Sequence, residues 1–222
     1  MNSLSLPEPR GLRAALVALL SLLAFAGAPA GAQTNEDFII AVANDRVGEV
    51  REFLAKGMDP NTRSAQGEPA LVVAARSAKP EIIAALLAAR ADVNARSSRG
   101  DTAIMMAALN GHLELARQLR ARGAQIDGPG WTPLIYAATG GHDAIVTWLL
   151  AEGANINAAS PNGTSALMMA VREGKGPTAS LLIKRGADVN HRNENGASAL
   201  AWAVRGNEQA LAAELRRAGA RD

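Results

Sequence analysis

Gly130-Trp131-Thr132-Pro133-Leu134-Ile135-Tyr136-Ala137-Ala138-Thr139-Gly140-Gly141-His142 runs into Ile145, Val146, Leu149 and Leu150, then closes on Gly153-Ala154-Asn155-Ile156-Asn157. This stretch reads as one complete unit. Thr132 is placed to cap a short helix, and Pro133 falls at its first position, where a missing N–H costs nothing. Ala137 and Ala138 are small enough for two helices to approach there. Gly141 ends the first helix, where a left-handed residue is needed. Ile145, Val146, Leu149 and Leu150 share one face of a second helix at helical spacing. Gly153 stops it, and Ala154 to Asn157 lead into an extended turn. Such a hairpin has no core of its own and needs a neighbour against which to bury its apolar face.

The neighbours are in the sequence. Ala41, Ala74, Ala107, Ala137, Ala170 and Ala203 follow one another at steps of 33, 33, 30, 33 and 33 residues. The same register aligns Gly67, Gly100, Gly130, Gly163 and Gly196. It also aligns Gly57, Gly123, Gly153, Gly186 and Gly219, with Arg90 in the one slot that lacks glycine. Phe53, Leu86, Leu119, Leu149, Leu182 and Leu215 form a further row. Self-similarity at this period is the signature of a stacked array. The chain is therefore expected to be an all-α solenoid of helix-turn-helix units. Thr102, Ser165 and Ser198 take the cap position of other units. At the start, Asn35-Glu36-Asp37 is expected to place acids in the first turn of the opening helix. At the end, Glu208, Gln209, Glu214, Arg216 and Arg217 surround Leu211 and Leu215 as a polar lid.

These motifs resemble the ankyrin repeat, carried by the Gly-x-Thr-Pro-Leu-x-x-Ala-Ala-x-x-Gly-His string of 130–142 and by Gly186-Ala187-Asp188-Val189-Asn190. The resemblance implies paired helices, a row of β-turn fingers and about six repeats, counting both ends as caps. Their approximate bounds are 35–63, 64–96, 97–127, 128–159, 160–192 and 193–222. One departure recurs. The family's histidine after Pro-Leu is replaced by Val72, Met105, Ile135, Met168 and Ala201, so these units rely on apolar packing instead. The resemblance also implies a protein-binding module that uses its concave side.

Residues 1–32 have a different character. Arg10 and Arg13 precede an apolar run from Ala14 to Phe25, broken only by Ser21, and Ala30-Gly31-Ala32 has the A-x-A form. This is the layout of a secretory signal peptide cleaved after Ala32. The run of about a dozen residues falls short of the roughly 20 that a spanning helix needs. The remaining domain, 33–222, is expected in the periplasm or outside the cell, as a monomer. There is no cysteine, which excludes disulfides, thiolate metal sites and a Cys nucleophile. The formal charge of +2, or +1 after losing Glu8, Arg10 and Arg13, argues against nucleic acid as a partner.

Carrying the family pattern onto this chain, the partner-binding candidates are Arg63, Arg96, Arg99, Asp101, Trp131 and Arg192 on fingers. On first helices they are Arg76, Leu109, Thr139, Arg172 and Arg205. With Glu68, Glu173 and Glu194 included, this face has seven arginines against four acids. An acidic protein surface is its complement, since Arg forks match carboxylates. The 30-residue step shortens one finger at Gly128-Pro129-Gly130, beside Trp131. The Trp either anchors a partner or folds over the short turn. His112 and His142 recur at one repeat position, and Met105-Met106 matches Met168-Met169, so packing is preferred to metal binding. Trp148 and Trp202 are expected in the core. No phosphate loop, nucleophile elbow or H-E-x-x-H occurs. No catalytic residue, metal or cofactor is expected. Scaffold, immunity-type inhibitor and effector acting on host proteins remain open as roles.

Overall fold

The computed structural model describes residues 30–221, with side chains from Asn35 onward. The basic start and apolar run of the proposed signal lie outside these residues. Twelve helices in two layers make up the described chain. The inner layer contains α1 (Ala30–Ala43), α3 (Ala70–Arg76), α5 (Ala103–Leu109), α7 (Pro133–Gly140), α9 (Ala166–Arg172) and α11 (Ala199–Arg205). The outer layer contains α2 (Val47–Ala55), α4 (Pro80–Ala88), α6 (Leu113–Ala121), α8 (Asp143–Ala151), α10 (Gly176–Lys184) and α12 (Gln209–Arg217). Each inner helix packs on the next inner helix and on its own outer partner, so the stack is a solenoid. Among the described residues no helix is long and apolar enough to cross a membrane.

The aligned rows form the core. Ala41, Ala74, Ala107, Ala137, Ala170 and Ala203 are all buried, and so are Leu86, Leu119, Leu149, Leu182 and Leu215. Val72, Met105, Ile135 and Met168, standing where the family has histidine, are buried between units. Caps follow the sequence with one exception. Thr132, Ser165 and Ser198 accept N–H bonds from Ile135, Met168 and Ala201. Thr102 holds the cap position of α5, but its hydroxyl is buried without a partner. The opening helix starts at Ala30, ahead of the Ala32–Gln33 bond, so Glu36 and Asp37 lie beyond its first turn.

Two sets of polar contacts hold successive repeats in register. The side chains of Asn61, Asn94, Asn157 and Asn190 accept the backbone N–H of Asp92, Gln125, Asp188 and Arg221, at 2.8, 2.9, 2.9 and 3.0 Å. Asp127 does the same for Asn155, through both carboxylate oxygens at 3.2 and 3.1 Å. Asn94 and Asn190 also donate to the carbonyls of Gly123 and Gly219, at 3.1 Å each. Within the four full fingers, the N–H of Ser64, Ser97, Ser160 and Asn193 donates to the carbonyl of Glu68, Asp101, Thr164 and Ala197, which closes each loop.

The C-terminal end is less thoroughly lidded than the sequence implies. Helix α12 is polar on its outer side, with Leu211 and Leu215 buried beneath. Helix α11 is not: Ala201 is exposed, and Val204 is 52% exposed. Their counterparts Met168 and Val171 are buried under the following repeat. No further unit among the described residues covers them.

Candidate functional site

Finger turns and the inner helices carry the candidate residues. The structure sorts them into four groups, according to what each side chain already holds. Arg63, Arg96 and Arg192 occupy one repeat position. Each donates to the carbonyl of the glycine four residues on, Gly67, Gly100 and Gly196, at 2.9, 3.1 and 2.9 Å. Arg63 also reaches the carbonyl of Arg96 in the next finger, at 2.7 Å. These guanidiniums pin the fingers, although their surfaces remain exposed.

The middle of the face is a closed ionic network. Arg76 is ion-paired with Glu68, which holds its guanidinium more firmly protonated through that hydrogen bond. Arg99 approaches Glu68 at 3.7 Å and Asp101 at 3.3 Å. Asp101 is only 4% exposed and accepts the hydroxyl of Tyr136 from the next repeat. This corrects the expectation of a partner contact at Asp101: burial gives its carboxylate to the inside of the finger. Tyr136 is shifted well above the ordinary tyrosine value, first because burial disfavours the phenolate and then because it donates to Asp101.

Trp131, next to the shortened finger, leans on Tyr136 with ring centroids 5.7 Å apart at 57°, and is half-buried against the core. Gly128 lies beside the Arg96 guanidinium and Gly130 beside Pro161 of the following finger. Leu109 and Thr139 are half-buried. The Leu109 carbonyl accepts from Nε2 of His142 at 2.9 Å, and the Thr139 hydroxyl donates to Ile135 at 2.8 Å. His191 donates through Nε2 to the Gly163 carbonyl at 2.7 Å. Among the described residues, no group of three or more His, Asp or Glu converges to hold a metal.

The C-terminal third is different. Arg172 at the end of α9 lies 6.0 Å above the ring of Trp202 on α11, and its Nε donates to Glu173 at 3.0 Å. Arg205, at the same position one repeat on, is exposed and makes no ion pair or side-chain hydrogen bond with the described residues. Arg172, Trp202, Arg205, Val171 and Glu208 line a surface pocket of about 410 Å³. Trp202 is therefore half-buried in a pocket wall, and not in the core as its sequence position implied. Its counterparts Met106 and Met169 are buried. The signal was available: Met106 and Met169 each have a further finger after their unit, and among the described residues Trp202 has none.

The family model for ankyrin repeats, in three copies, matches residues 72–160 and 155–221. The chain is an ankyrin-repeat protein. No curated protein matches it. Ankyrin repeats are protein–protein interaction modules and are typically not catalytic. In this ankyrin-repeat protein the site is thus a surface, and its useful content is the set of side chains that the fold leaves uncommitted. On the opposite, outer layer a second cavity of about 440 Å³ opens between α4 and α6, lined by Pro80, Ile83, His112, Leu113 and Leu115.

Proposed function

We propose that this chain is an exported interaction module that binds an acidic surface of another protein through its concave side, as a scaffold or accessory factor. The observation that carries the reading is Arg205. It is a candidate cation with no carboxylate or carbonyl partner among the described residues, and it stands beside a half-exposed Trp and a second Arg. Trp and Arg are the residues most enriched where interfaces carry their binding energy. Export is supported by the basic start, the short apolar run and Ala30-Gly31-Ala32. The excess of arginine along the inner side favours an acidic partner through steering as well as contact.

The test is recovery of a cross-linked partner from the envelope fraction of cells producing the tagged chain. The expected result is an adduct whose yield falls at least tenfold when Arg172 and Arg205 are both changed to Glu, with melting unchanged. Equal yield contradicts the reading. The recovered chain is expected to begin at Gln33; one that begins at Met1 contradicts the export proposal.

A further inference from the structure

The pocket between α9 and α11 has a chemistry more specific than general basicity, and it rests on the concave-face reading above. Arg172 is held on two sides. Glu173 takes its Nε, and the Trp202 ring lies beneath its guanidinium. Its charge is largely answered, and its flat side serves as a wall. Arg205 has the opposite status: it shares the pocket and is unpaired. Trp202 offers an indole that no finger covers. Ala201 and Val204, outside the pocket lining on the same helix, are exposed as well. The pocket thus combines one forked cation that no described residue pairs and one aromatic surface.

We infer that this pocket takes a side-chain carboxylate of a partner's extended segment, an Asp or Glu that stands next to a bulky apolar residue. The carboxylate fits the Arg205 fork, which is geometrically matched to two oxygens. The apolar neighbour lies on the Trp202 ring, where burial is worth about 25 cal/mol per Å² of apolar area removed from water. Glu208, on the rim, disfavours segments with acids on both sides of the pocket. The preference is therefore for one acid with an apolar companion, and not for a polyacidic run.

Selection from a displayed library of random twelve-residue peptides on the chain from Gln33 to Asp222 tests this. The enriched peptides are expected to share an acid next to Phe, Leu, Ile, Met or Trp. Their binding is expected to fall at least tenfold in Arg205→Glu and in Trp202→Leu, to recover in part in Arg205→Lys, and to remain in Arg117→Glu on the outer layer. Peptides without an acid, no enrichment at all, or equal binding by Arg205→Glu overturn the inference. Polyacidic peptides that lack an apolar residue overturn it as well. A full-length partner recovered equally by the wild type and by both pocket variants, and cross-linked elsewhere on the concave side, overturns the pocket while leaving the concave-face reading in place.

Discussion

Single residues carry costs that the repeat makes visible. Arg90 stands where five repeats have glycine, and its φ is +68°. Ala78 stands where Gly111, Gly141 and Gly174 stand in later repeats, and its φ is +45°. A side chain with Cβ is strained in this left-handed region by about 1 kcal/mol. Arg90→Gly and Ala78→Gly are each expected to raise stability by about 0.5–1 kcal/mol, read as a higher urea midpoint. Tyr136 provides a second prediction. Its folded pKa is raised above 10 by burial and by its bond to Asp101. The neutral phenol thus contributes stability that is present below about pH 10, the unfolded value, and is lost as pH rises beyond it. It is the only tyrosine, so phenolate absorbance reads it directly. The absorbance is expected to appear together with alkaline unfolding. Ionisation near pH 10 with the helices intact would contradict this placement, and Tyr136→Phe is expected to flatten the alkaline decline.

At the scale of elements, register depends on the asparagine contacts between finger bases. Asn94 accepts from Gln125 and donates to Gly123, so one side chain ties two repeats twice. Asn94→Ala is expected to cost about 2 kcal/mol, at roughly 1 kcal/mol per bond, in an equilibrium melt. The helices, their caps and the short finger were legible in the sequence, because glycine, capping Ser/Thr and apolar spacing act locally and recur in every unit. The fate of the arginines was not. Arg63, Arg96 and Arg192 look like free surface charges until the fold brings a glycine carbonyl to each guanidinium. Asp101 reads as an exposed finger tip, yet Tyr136 from the next repeat closes over it. Trp202 reads as core because its counterparts are core, yet no described residue packs over its outer side. What the sequence left hidden was where each polar or aromatic side chain lands once a finger closes and the units stack.

The whole molecule has two unlike sides. The outer layer carries exposed pairs such as Arg117–Glu114 within one helix at 3.4 Å and Arg120–Glu152 between repeats at 3.2 Å. Exposed pairs of this kind contribute little, about 0–1 kcal/mol each. The inner side is ordered by a central network that uses up its own charges, and this leaves the C-terminal third with the free cation and the open aromatic. A partner is therefore expected to sit toward α9 and α11 and to lose affinity as salt rises. The most direct measurement is amide hydrogen exchange on the purified complex with the recovered partner. The predicted result is slowed exchange in the fingers at 160–165 and 193–198 and at the C-terminal ends of α9 and α11, with α8 and α10 unchanged. Slowed exchange confined to the outer helices, with the inner side unaffected, would contradict the account.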